Sequence, residues 1–126
     1  MIFLTIEEII ELHSKLIEKT GGCQGIRDKN LLESAVYSSM ASFADTEIYP
    51  SIEEKAAKIM FSLTNNHAFT DGNKRIGILV MLLTLELNAV KVKYSQAELI
   101  NLGLSVADGS SDYYQILNWI QEHKTR

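Results

Sequence analysis

Three copies of one local pattern constrain this chain more than anything else in it. Thr5-Ile6-Glu7-Glu8, Ser51-Ile52-Glu53-Glu54 and Ser95-Gln96-Ala97-Glu98 each place a hydroxyl three residues before a glutamate. At a helix start the hydroxyl accepts from the third backbone N–H. The glutamate in turn accepts from the N–H of the hydroxyl residue, so two orphan donors are satisfied together. Each copy precedes a run with apolar residues at three- and four-residue spacing. One proline (Pro50) and seven glycines in 126 residues leave few breakers, and no linker or repeat interrupts the chain. The reading is one all-α domain over residues 1–126, a bundle around a single core.

The first helix is predicted from Ile6 to Lys19, with Ile6, Ile9, Ile10, Leu16 and Ile17 inward and Gly21-Gly22 ending it. Asp28 is the expected N-cap of a second helix, Lys29 to Ala41, burying Leu31, Leu32, Ala35 and Val36. Phe43 to Pro50 reads as an irregular connector, and its extended piece from Thr46 to Tyr49 offers an unpaired backbone edge. A third helix is expected over Ile52–Asn65, with Ala56, Ile59, Met60 and Leu63 inward. A fourth, Asn73–Asn88, is apolar nearly all round, as the central element of a bundle must be. Gln96–Ala107 and Asp112–His123 complete six helices, with Trp119 and Ile120 docking the last.

Bulk properties exclude several classes. A net charge of −4 argues against gripping nucleic acid through an overall positive field. A single cysteine, Cys23, excludes an internal disulfide and a multi-cysteine metal site. The apolar run after Arg75 contains Glu86 and is too short for a bilayer span, and Met1 to Ile10 is too acidic for a signal peptide. A cytoplasmic protein without membrane contact is expected.

Chemistry concentrates in His67-Ala68-Phe69-Thr70-Asp71-Gly72-Asn73-Lys74-Arg75, which feeds directly into the fourth helix. Helix starts bind anions, because their first N–H groups lack partners and the macrodipole is positive there. His67 is a base able to take a hydroxyl proton. Asp71 is either a Mg²⁺ ligand or an N-cap. Gly72 lets backbone approach phosphate, and Asn73 either donates from its amide or stabilises the turn. Lys74 and Arg75 supply cations that would be unfavourable at a helix start without an anion. Phe69 is the expected anchor of the loop. His13, Tyr113, Tyr114 and Trp119 are read as packing groups, and His123 as part of a polar tail.

The nine residues resemble the signature of the Fic superfamily, His-x-Phe-x-Asp/Glu-Gly-Asn-x-Arg, and lysine before the arginine is similar to the death-on-curing (Doc) branch. Further stretches read like that family. They include Gly25-Ile26-Arg27-Asp28, Leu31-Leu32-Glu33-Ser34-Ala35, Glu53-Glu54-Lys55-Ala56-Ala57 and Leu85-Glu86-Leu87-Asn88. The resemblance covers roughly residues 6–120. It implies the compact six-helix Fic core with a central buried helix and a short irregular flap. It also implies an ATP- and Mg²⁺-dependent transferase acting on a protein hydroxyl. By position it makes His67 the catalytic base and Asp71 the metal ligand. Gly72 keeps the family's pattern, and Asn73, Lys74 and Arg75 become phosphate binders. Thr46, Glu47, Ile48 and Tyr49 fall in the flap that holds the target as an added strand.

Doc-type toxins resemble kinases and transfer a phosphate to translation elongation factor Tu, stopping protein synthesis and growth. Their partner is an antitoxin that folds on their surface. Fic enzymes that transfer AMP instead carry a small residue where Lys74 stands and a second arginine where Ile78 stands. Both departures favour phosphate transfer. AMP transfer, and a mainly non-catalytic antitoxin-binding role, remain the alternatives. The chain has no Ser/Thr-x-x-x-Glu-Gly/Asn inhibitory segment, so restraint is expected from a separate chain.

Overall fold

The computed structural model of the chain describes residues 1–125. Its helices are α1 Ile6–Thr20, α2 Lys29–Tyr37, α3 Ile52–Asn66, α4 Asn73–Leu87, α5 Gln96–Ala107 and α6 Tyr113–His123. All three capping boxes form, at Thr5, Ser51 and Ser95. A fourth, Asp112 with Gln115, starts α6. It was not read from the sequence because a carboxylate replaces the hydroxyl and a glutamine the glutamate. Asp28 caps α2 as expected, accepting from the N–H groups of Asn30 and Leu31.

Helices α3 and α4 form the centre, and α4 also contacts α1 and α5. An apolar cluster of Ile9, Leu32, Val36, Leu63, Ile76 and Val80 lies on one side of this pair. A second, with Met60, Met81, Leu85, Leu102, Ile116 and Ile120, lies on the other. Because α3 and α4 feed both clusters, α4 is apolar on nearly every face. Each fully buried aliphatic side chain contributes roughly 1.5–3 kcal/mol. Close approach of the pair depends on Gly77. A Cβ there would stand 2.6 Å from Thr64 Oγ1 and 3.2 Å from Met60 O.

Four local expectations change. Helix α2 stops at Tyr37, and Ser38–Met40 form a 3-10 turn rather than continuing the helix to Ala41. The Ser38 and Ser39 hydroxyls donate to Ala35 O and Val36 O, competing with the helical ladder. The connector is not irregular but a small hairpin, β1 Ser42–Phe43 paired antiparallel with β2 Thr46–Glu47. Its two-residue loop, Ala44-Asp45, has φ of 50° and 64°, the all-positive geometry that suits hairpin twist. Tyr114 is 69% exposed rather than packed. His123 is not in a free tail: its ring is bonded to Trp119 O and Glu98.

Candidate active site

The motif loop is held from three directions. Phe69 is buried and stacks on the equally buried His13 ring, with centroids 3.8 Å apart and planes at 11°. This histidine packs, as the sequence suggested, and it also braces the loop, its Nε2 bonding Asp71 O at 2.7 Å. The Asn73 amide clasps the loop internally, accepting from Phe69 N–H and donating to Phe69 O, both at 3.0 Å. Both polar atoms of that side chain are therefore committed to the turn. From outside, Gly25–Asp28 runs alongside. Thr70 N–H donates to Gly25 O, and Arg27 and Asp28 N–H donate to Ala68 O.

His67 closes α3 in the left-handed region, φ 53° and ψ 43°, with its side chain exposed. That conformation is costly for most residues other than glycine and concentrates at functional sites. Arg27 stabilises it by donating from Nε to His67 O at 2.6 Å, with a longer bond from Nη2 to Asn66 O at 3.4 Å. A cation also suits the negative end of the α3 dipole.

Helix α4 is the exception among the six. Its N-cap is Gly72, at φ 77°, and no side chain caps it. The first intrahelical bond is Ile76 N–H to Gly72 O, so the N–H groups of Asn73, Lys74 and Arg75 have no partner within the helix. A side chain at Gly72 would also meet Ile17 Cδ1 at 2.7 Å.

Asp71 does not cap this helix in the usual way. Its Oδ2 accepts from Cys23 N–H at 3.1 Å, and its Oδ1 accepts from Gly72 N–H at 2.7 Å. The Cys23 and Gly72 bonds, with Arg75 beside them, hold its carboxyl below the usual carboxylate range. Gly22 makes room for it, since a Cβ there would lie 2.5 Å from Asp71 Oδ2. Arg75 Nη1 donates to Thr20 Oγ1 and Gly21 O at 2.6 and 2.7 Å, and its Nη2 lies 3.6 Å from Asp71 Oδ1. Lys74 differs: among the described residues its ammonium makes no ion pair.

These groups line one cleft of about 390 Å³, formed by His67, Asp71, Gly72, Asn73, Lys74 and Arg75 with Thr64, Asn65, Thr70 and Ala107. The four flap residues do not line it. Thr46 and Glu47 lie in β2, Ile48 is half-exposed, and Tyr49 packs edge-on against Tyr113. Each Asp71 oxygen accepts one backbone N–H and retains a lone pair. This ionised, partly exposed carboxylate fits a hard divalent cation whose other ligands are phosphate oxygens and water. Among the described residues there is no cluster of three or more His, Cys, Asp or Glu that forms a protein-only cage.

Two residues, one holding the motif loop and one holding the hairpin, were not singled out beforehand. Arg27 carried only the general likeness of Gly25-Ile26-Arg27-Asp28. Lys55 had a legible signal, a cation in phase with Ile52, Ile59 and Met60 on the inner stripe of α3.

Residues 3–85 match the family model for the Fic/DOC family. The chain is 38% identical over 72 residues to "Toxin Doc" of Mycolicibacterium smegmatis, a match covering 57% of this chain and 55% of that protein. It is 33% identical over 103 residues to "Protein kinase doc" of Escherichia phage P1, covering 82% of this chain and 80% of that one. With the motif loop braced at the start of the one uncapped central helix, the chain belongs to the Fic/DOC family.

Proposed function

We propose that this protein is a Doc-type toxin that transfers the γ-phosphate of ATP to a hydroxyl of a protein target, elongation factor Tu being the expected one. The observation that carries this reading is the uncapped start of α4, opening into the cleft beside His67, Asp71 and Lys74. Three N–H groups with no partner within the helix, and a lysine that makes no ion pair among the described residues, suit a chain of phosphates. His67 takes the proton of the target hydroxyl. The freed oxygen forms a bond to the γ-phosphorus, the bond from that phosphorus to the β–γ bridging oxygen breaks, and ADP leaves with that electron pair. Asp71 would hold Mg²⁺, which supplies charge neutralisation at the phosphates. Lys74 and Ile78, standing where AMP-transferring relatives have a small residue and an arginine, favour phosphate over AMP.

The same reading includes a cytoplasmic setting and an antitoxin that folds on the toxin. An apolar groove of about 390 Å³ between α1, α4 and α5, lined by Leu16, Ile78, Leu79, Leu82, Leu99 and Ile100, borders Lys74 and Arg75. A segment laid there would cover both cations. Among the described residues no helix is long and apolar enough to cross a membrane.

The test is the intact mass of elongation factor Tu after incubation with the protein, ATP and Mg²⁺. A gain of one phosphate, lost on the order of 10²–10⁴-fold in His67→Ala, is expected. A gain of one AMP refutes the assignment of the transferred group. No gain refutes the target.

A further inference from the structure

Lys55 lies on the inner face of α3 and is 2% exposed. Lysine is almost never buried this deeply unless it is paired. Its ammonium has three donors, and three acceptors meet it: Ser39 O at 3.4 Å, Glu47 Oε1 at 2.9 Å and Tyr49 O. The acceptors are distributed along the flap. Ser39 sits in the 3-10 turn before β1, Glu47 lies in β2, and Tyr49 follows it. One side chain thus ties the entry, the second strand and the exit of the hairpin to a central helix.

Little else holds the hairpin in place. Its four strand residues are all exposed. Phe43 is 79% exposed, so no apolar face of the hairpin is buried beneath it. The Ile48 N–H to Ala41 O bond closes its base. A two-stranded hairpin of this size is marginal without support. A buried ammonium supplies charge-assisted bonds where an apolar core is missing.

We propose that Lys55 is a positioning residue for the protein target: its ammonium clamps the flap so that the outer edge of β2 is presented as a template for the target strand. This rests on the reading of the flap as the target-binding element. Helix α3 carries both the clamp and, twelve residues on, His67. The edge that receives the target and the base that deprotonates it are therefore referenced to each other through one rigid element. Lys55 touches neither ATP nor the reacting oxygen.

The experiment compares wild type, Lys55→Met and Lys55→Arg by amide hydrogen exchange and by steady-state transfer to elongation factor Tu. In Lys55→Met, amides of Ala41–Ile48 should exchange about tenfold faster or more, the scale of losing charged hydrogen bonds. Amides of α3 and α4 should be unchanged, and Lys55→Arg should restore most of the protection. The KM for elongation factor Tu should rise by a similar factor, with the KM for ATP and kcat nearly unchanged. Unchanged exchange in the hairpin overturns the proposal. Uniformly faster exchange through α3 and α4 means a merely structural role and also overturns it, as does a fall in kcat without a rise in the protein KM. If wild type transfers nothing to elongation factor Tu, the functional reading fails, while the exchange measurement still decides whether Lys55 clamps the flap.

Discussion

Replacing His67 by glycine should make the protein more stable and inactive. His67 ends α3 at φ 53° and ψ 43°. Holding an L-residue in that region costs roughly 1–2 kcal/mol, because Cβ crowds the following carbonyl oxygen. Glycine escapes this cost, and helices commonly end on a left-handed glycine for that reason. Glycine also loosens the unfolded chain, which removes about 0.4–1 kcal/mol of the gain. The His67 side chain is exposed, so little packing is lost, and the net expectation is a gain of about 0.5–1 kcal/mol. Alanine keeps its Cβ, so His67→Ala should gain nothing.

Urea unfolding of the three proteins, followed by circular dichroism, measures the order directly, with glycine above histidine and alanine. For a chain of this size the glycine variant should also melt about 2–5 °C higher. If His67→Gly is no more stable than His67→Ala, the left-handed backbone is not costing what the geometry implies. The idea that histidine is kept there for chemistry, against its local preference, then falls.

Arg27→Met removes the bonds to His67 O and Asn66 O. It should cost about 1 kcal/mol in urea unfolding, with Arg27→Lys recovering part, because exposed charge-assisted bonds are worth little more than that. A loss within measurement error would mean the bond is idle. Among the described residues Thr64 Oγ1 is buried without a hydrogen-bond partner. Thr64→Val should therefore be neutral or stabilising by up to about 1 kcal/mol, and a clear loss would reveal an unrecognised partner.

The Glu98–His123 pair predicts a pH window. The bond from His123, together with those from Ser95, pulls the Glu98 carboxyl down to about 2. Its contribution is thus present above the ordinary value of 4.5 and is lost as pH falls toward 2. Burial alone would lower His123, but bonds to Glu98 and Trp119 O outweigh it and raise the imidazole above 6.5. Its contribution is present below 6.5 and is lost as pH rises through the raised value. Glu98→Gln should therefore destabilise most near pH 5–6 and least at pH 9. Equal destabilisation at both pH values would contradict the pairing.

What the sequence determined by itself is local. Capping boxes act over three residues, so Thr5, Ser51 and Ser95 announced their helices, and the all-round apolar run announced the central one. The motif between His67 and Arg75 marked the cleft, because its residues are neighbours in the chain as well as in space. The flap hairpin was not legible. Its turn needs two positive φ values, and Ala44-Asp45 lacks the Asn-Gly or Asp-Gly pairing that normally advertises them.

Tertiary structure alone decided which distant groups hold Asp71 and Arg75. The Asp71 carboxylate is met by Cys23, 48 residues away, and by the space that Gly22 leaves. Arg75 is anchored on Thr20 and Gly21, more than fifty residues away. The pair Gly21-Gly22, which reads in sequence as the end of α1, becomes a support of the site: Gly21 O accepts from Arg75, and Gly22 leaves room for the Asp71 carboxylate. Backbone donors and acceptors carry no residue signature, so contacts made through them over such separations leave no trace in the order of amino acids. They appear only when α1 and α4 pack and bring the end of one helix against the start of the other.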